Sequence, residues 1–233
     1  MTLASTAARN NAAWCDRVCR THGIDTAADP DAWVARRRSP PMYPDAVTLS
    51  ERPPVTDLLA RIDRSPGCTI KDSFASVDLS GEGFRPLFDA EWIHRPPVSP
   101  AATPGPVWSV VETAGDLADW ATAHGGGDTF RPALLDDPAV TILAAHDDGA
   151  LVAGVIGNRD AGAAGLSNLF VLDADPDVVW AGASAAVSAA FPGLPLVGYE
   201  HGEDLDLARR AGFVTTGPLR VWIADRSAVV GAG

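Results

Sequence analysis

Apolar and polar positions recur with two periods along this chain, and each change of period marks an element. The clearest stretch begins at residue 140. Residues 140–145 form a β-rich run, Asp147-Asp148-Gly149 signals a tight turn, and residues 151–157 form a second run of the same kind. Residues 159–165 turn again and residues 166–172 make a third strand. Asp175-Pro176 then opens a helix, because Asp175 can accept from orphan backbone N–H groups and Pro176 suits the first helical position. That helix runs over the alanine-rich residues 178–190 and stops at Phe191-Pro192-Gly193. Residues 194–199 are a short apolar strand, residues 205–211 a short helix ended by Gly212, and residues 219–223 a closing strand. A meander feeding a β-α-β-α-β tail predicts a mixed α/β layer that other elements must cover.

The first part of the chain patterns less sharply. Residues 10–20 read as a helix carrying Trp14 and Val18, and residues 31–38 as a short helix ending in three arginines. Residues 39–44 are extended, since each proline restricts its predecessor. Residues 46–49 form a strand, and residues 55–63 an amphipathic helix with Leu58, Leu59 and Ile62 inward. Residues 68–75 alternate with period two. Residues 84–94 make a long strand with Leu87, Asp89, Glu91 and Ile93 on one face and Phe88, Ala90 and Trp92 on the other. Residues 96–106 hold five prolines and read as a linker between a mixed α/β region (1–95) and a second domain (107–225). Beyond it come a strand (107–112), a helix with Leu117 and Trp120 inward (114–124), a glycine-rich loop at Gly125-Gly126-Gly127 and a short helix (130–135). The loop lacks the Gly-Lys-Ser/Thr that would make it a phosphate cradle. The two halves share a strand-helix-strand-strand rhythm without a sequence repeat.

Composition narrows the function. At 233 residues the chain is one large domain or two small ones. A net charge of −12 argues against a nucleic-acid surface. No apolar run approaches the roughly 20 residues that span a bilayer. The start, Met1-Thr2-Leu3-Ala4, has no secretory pattern, so a cytoplasmic protein is expected, with no membrane partner. Cys15, Cys19 and His22 fall at i, i+4 and i+7 on one helix face, a spacing that admits zinc. Structural zinc needs four ligands, so these read as core residues and no metal is expected. Lys71 is the single lysine in a chain rich in arginine, which reads as a compositional bias rather than as chemistry.

The order from residue 107 onward resembles the GNAT acetyltransferase superfamily. The most specific residues are Ala208-Arg209-Arg210-Ala211-Gly212-Phe213 and the strand after them, which resemble that family's penultimate helix, Gly-Phe turn and last strand. Leu151-Val152-Ala153-Gly154 is similar to its third strand. The resemblance implies a GNAT-like, mixed and mostly antiparallel sheet flanked by helices, with residues 1–95 as a degenerate half-domain or a cap. It implies that acetyl-CoA or another acyl-CoA lies in a splay between the strands at 166–172 and 194–199. Asn168, Phe170 and Leu172 would then follow the pantetheine arm. Gly182 and Ser184 would lie at the pyrophosphate, on the helix that opens at Asp175. The family's Arg/Gln-x-x-Gly-x-Gly/Ala pattern falls on Val179–Ser184, where Gly182 matches and Val179 and Ser184 depart. Asp173, Asp175 and Asp177 crowd the phosphate end, and the family's general-acid tyrosine falls at Ala208.

Tyr199-Glu200 ends a strand at the switch point of the sheet, where ligands bind. Glu200 is the candidate base, if burial raises its pKa, with His201 beside it and Tyr199 as its catalytic companion. The stronger reading of Glu200, His201, Glu203 and Asp204 is an exposed acidic helix start, its carboxylates well placed for the helix dipole. Two functions follow. One is N-acetyltransferase-type transfer of an acyl group from acyl-CoA to a small-molecule amine. The other is a catalytically degenerate GNAT-fold protein that binds a ligand or partner, a homodimer being compatible with either.

Overall fold

The computed structural model describes residues 2–97 and 105–225. Eleven strands form one continuous sheet in the order β1-β2-β3-β4-β11-β5-β10-β9-β8-β7-β6. In chain order the elements are α1 (Leu3–Thr21), β1 (Thr26–Ala28), β2 (Ala32–Ala35), β3 (Ala46–Thr48), α2 (Val55–Leu59), β4 (Thr69–Asp72) and β5 (Phe84–Arg95). The second half supplies β6 (Val107–Val110), α3 (Ala114–His124), β7 (Val140–Asp147), β8 (Ala150–Asp160) and β9 (Ala163–Val171). It ends with α4 (Pro176–Ala190), β10 (Leu196–Glu200), α5 (Gly202–Arg210) and β11 (Val214–Ala224). No helix among the described residues is long and apolar enough to cross a membrane.

The sheet has two halves of one design. In the first, the antiparallel strands β1-β2-β3 lead through α2 to β4, which returns parallel to β3. In the second, β7-β8-β9 lead through α4 to β10, parallel to β9. Each half then gives away its last strand. β5, from the first half, pairs with β10, and β11, from the second, pairs with β4. The exchanged strands pair with each other from Val214↔His94 to Ala224↔Phe84. The rhythm seen in the sequence is therefore a structural repeat, and strands β1–β5 of the first half share their sheet with those of the second. The core of the expected linker, residues 98–104, lies outside the described residues.

The two faces of the sheet hold separate cores. Along β5 and β10, Trp92 and Val197 meet the small residues Ala4, Ala7 and Ala8 of α1. Their chain neighbours Ile93 and Leu196 meet Trp180 and Val187 of α4 on the other face. α1 begins well before the predicted helix because alanines carry little apolar signal. The Thr2 side chain caps it, accepting from Ser5 N–H at 3.1 Å.

Two predicted helices are not helices. The stretch predicted over 31–38 forms β2, whose Ala32-Trp33-Val34-Ala35 is buried throughout between β1 and β3. A four-residue apolar run buried on both faces has no periodicity to separate strand from helix. Residues 130–135 form a 3-10 turn at Pro132–Leu134 rather than an α-helix.

Asn10 ties α1 to the second half. Its side-chain amide donates toward the carbonyls of Asn158, Asp160 and Ala163 at 3.1–3.3 Å. Asn158 returns a hydrogen bond to Asn10 Oδ1 at 3.1 Å. Gly165 is required here, because a Cβ would strike both asparagine side-chain oxygens. Asn10→Ala strands buried acceptors and is expected to cost about 1–3 kcal/mol. Urea unfolding would check this; a midpoint unchanged from wild type would contradict it.

Candidate active site

β9 and β10 pair only at Ala164↔Leu196 and Gly165↔Val197 and then part. The separation is reinforced on β9, where a bulge sets Asn168 and Leu169 against the single residue Val155 of β8. Asn168 adopts φ 54°, a left-handed conformation that asparagine tolerates better than most residues. The bulge takes backbone groups out of the ladder. Between the parted strands lies a cleft of about 290 Å³. Ser167, Asn168 and Glu200 line it from the second half, and Asn11, Tyr43 and Lys71 from the first.

Glu200 is half-buried at the end of β10. Burial, and secondarily the Asp204 carboxylate, push its pKa up to about 8. A carboxyl in that range is poised for proton transfer near neutrality. The rest of the predicted acidic helix start behaves differently. Glu203 and Asp204 occupy the first turn of α5 and are exposed, whereas Glu200 is half-buried and borders the cleft. His201 is exposed and lies 5.2 Å from the Phe88 ring.

Tyr199 packs edge-on against Trp92 at 5.7 Å and lies under the Lys71 ammonium, which sits 3.9 Å from its ring centroid. That distance is within cation–π range. Lys71 is only 3% exposed and donates to Asn11 Oδ1 at 2.8 Å. Tyr43 is also buried, and its hydroxyl has no hydrogen-bond partner. Burial pushes this phenol well above its ordinary range, opposed by the nearby Asn168 and Trp14 side chains. Cys15 borders the same cleft, its thiol pushed up to about 12 by burial. Cys19 donates to Ser39 Oγ at 3.5 Å, and His22 Nε2 meets the Thr129 carbonyl at 2.9 Å, so the helical trio serves three separate contacts.

Of the residues expected along the cofactor, Asn168 lines the cleft. Phe170 packs instead against Trp120 and His124, with ring centroids 5.1 and 5.6 Å away. Leu172 follows the end of β9 and is largely exposed. Gly182 faces Trp108, whose indole a Cβ would strike, so packing of α4 on β6 requires this glycine. Ser184 is buried within α4 with its hydroxyl unpartnered. Ala208 is fully buried in the core and donates nothing.

Two of the three aspartates at the start of α4 are committed. Asp175 caps the helix, accepting from Asp177 N–H at 2.9 Å. Asp177 takes a two-pronged contact from Arg210 at 2.6 and 3.2 Å. Arg210 thus neutralises one carboxylate at the end where a pyrophosphate is expected.

In the first half the corresponding gap between β3 and β4 is bridged. β3 and β4 also pair at only two positions, Ala46↔Ile70 and Val47↔Lys71. There Ser73 N–H donates to Thr48 Oγ1 at 2.8 Å and bridges the gap. The buried Asp72 carboxylate accepts from Phe74 and Val77 N–H just beyond.

Sequence reasoning missed Tyr43, Asn11 and Lys71 as cleft residues. They stand on separate elements of the first half, and no spacing links them. The exchange of β5 and β11 carries Lys71 toward the second half's splay, and the packing of α1 on that half carries Asn11.

No protein-family model and no curated protein matches the sequence. Solved structures do. A GCN5-related N-acetyltransferase from Kribbella flavida aligns over 96% of this chain and 96% of its own, with 13% identity and a TM-score of 0.64. A functionally unknown conserved protein from Staphylococcus epidermidis aligns over 87% of this chain and 94% of its own (12% identity, TM-score 0.57). A GCN5-related N-acetyltransferase-like protein from Streptococcus suis aligns over 92% and 95% (13%, TM-score 0.51). The likeness runs through both halves, beyond the last 120 or so residues in which the sequence resemblance lies. The large, mostly antiparallel sheet flanked by helices, together with these neighbours, shows that the chain has a GNAT-like fold.

Proposed function

We propose that the protein transfers an acyl group from an acyl-CoA thioester to a small-molecule amine bound in the β9–β10 cleft. The observation that carries this reading is the parting of the two strands after Val197, which opens a slot beside the unpaired backbone of the bulge. A slender pantetheine arm fits such a slot in extended form. In the reaction the amine nitrogen forms a bond to the acyl carbon, and the carbon–sulfur bond breaks. Coenzyme A leaves as a thiolate that takes up a proton. The proton shed by nitrogen passes to the ionised form of Glu200, whose share grows as pH rises toward about 8. Holding both reactants in one cleft supplies much of the acceleration. Tyr199 shapes the wall next to Glu200.

A second reading keeps the fold and drops the chemistry. It is favoured by the α4 start, where Asp175 already takes up an N–H that would otherwise face a phosphate. Thermal unfolding with acetyl-CoA and with coenzyme A separates the two. At one hundred times its dissociation constant a ligand stabilises by about 2.7 kcal/mol, or about 5–10 °C for a chain of this size. That shift is expected; none at millimolar cofactor would leave the binding-only reading.

A further inference from the structure

Lys71 raises a charge question that acyl transfer by itself does not answer. Its ammonium is buried, has three N–H donors and spends one on Asn11. The described ion pairs are all made by arginines, and Lys71 belongs to none of them. Glu200, which borders the same cleft, makes no ion pair with Lys71, and burial favours its neutral form. The Cys15 thiol is held neutral as well. A buried charge with no anionic partner is costly, and the faces of Tyr199 and Trp92 offset only part of that cost.

Lys71 also marks a junction. A second chamber of about 540 Å³ opens beside the cleft, and the two share Met42, Tyr43, Pro44, Lys71, Phe88 and Tyr199. Beyond the junction its walls combine the apolar Pro40, Pro41, Leu87 and Val221 with Ser39 and Thr69. Arg38 stands at its edge, where it donates to the carbonyls of Ser65 and Gly67 and pairs with the Asp45 carboxylate at 3.4 Å, so its charge already has a counter-ion. Lys71 is the cation common to both chambers, and Tyr43, whose buried hydroxyl has no hydrogen-bond partner, borders the same junction.

We propose that Lys71 binds a carboxylate on the acyl acceptor, so that the acceptor is an amino-carboxylate whose apolar body fills the second chamber. The acceptor's carboxylate supplies the missing counter-charge at Lys71 and accepts from its free N–H groups. Its amine lies toward Glu200, and its apolar side chain lies among the prolines, Leu87 and Phe88. The proposal rests on the acyl-transfer reading for the amine, while the carboxylate site stands or falls separately.

The test is calorimetric titration of the full-length chain with N-acetyl-L-phenylalanine and with its carboxamide, which differ in the charge alone. Wild type is expected to bind the acid at least tenfold tighter than the amide. Lys71→Met should abolish that preference and Lys71→Arg should retain much of it. Equal binding of acid and amide by wild type, binding of neither, or a preference that survives Lys71→Met would overturn the proposal. If Lys71→Met fails to fold by circular dichroism, the wild-type comparison decides alone. A clear acid preference in a protein that shows no thermal shift with acetyl-CoA would keep the carboxylate site and discard the transferase.

Discussion

Glu200→Gln is expected to lower acyl-transfer turnover by about 10²–10⁴-fold, the range lost with a positioned general base. The acetyl-CoA thermal shift should persist, because glutamine has nearly the shape of glutamate and the carboxyl is assigned to the proton rather than to the cofactor. The wild-type rate is expected to climb as pH rises through about 8, where Glu200 gives up its proton. The same substitution has a stability signature of definite sign. Folded Glu200 holds its proton to about 8, whereas its ordinary value is 4.5. Between those two values the unfolded chain ionises and the folded chain does not, so Glu200 lowers stability progressively as pH climbs through the window. Glutamine removes that penalty. The variant should therefore gain on wild type between pH 5 and pH 9, by on the order of a few kcal/mol. Turnover equal to wild type would remove Glu200 from the mechanism. Parallel stability curves for the two proteins would show that its carboxyl is not desolvated.

The largest loss of stability is expected from Trp92→Ala, at about 3–5 kcal/mol. Trp92 is fully buried at the centre of β5. Its indole N–H donates to the Ser73 carbonyl at 2.7 Å, and its ring supports Tyr199 beneath Lys71. Truncation leaves a cavity and an unpaired buried carbonyl. Against a typical total of about 5–15 kcal/mol, this brings the protein close to its unfolding threshold. Because β5 lies between β10 and β11, the loss should reach both halves together. Urea unfolding followed by near-ultraviolet and far-ultraviolet dichroism should give coincident transitions in wild type and variant. Two separate transitions would mean that the halves are stable alone and that the exchanged strands do not couple them.

The second half of the fold was legible because its signals are local. The turn at Asp147-Asp148-Gly149, the Asp175-Pro176 start of α4 and the Gly212-Phe213 turn each act over a few residues, and all three stand where the pattern put them. Phe213 enters the core against Trp180, with ring centroids 6.0 Å apart. β2 was illegible because a short run buried on both faces has no period. The strand exchange was illegible because pairing partners more than 100 residues apart leave no local trace. For the same reason the sequence could name Glu200, which ends its own strand, but not Lys71, Tyr43 or Asn11. In the second half's long helix, Gly182 matches a motif position and also packs against Trp108. A glycine needed for close approach looks the same in sequence whether the approaching group is a phosphate or an indole.

The exchanged strands also set the timetable of synthesis. β5 leaves the ribosome with Phe88 and Trp92 on it, yet both its neighbours, β10 and β11, lie at least a hundred residues downstream. Its hydrogen-bonding edges stay open until almost the whole chain has emerged. Such long-range closure is intrinsically slow and leaves an aggregation-prone segment waiting. Nascent chains stalled before residue 196 should therefore depend on chaperones, and the final strand acts as the latch that completes both lobes in one event.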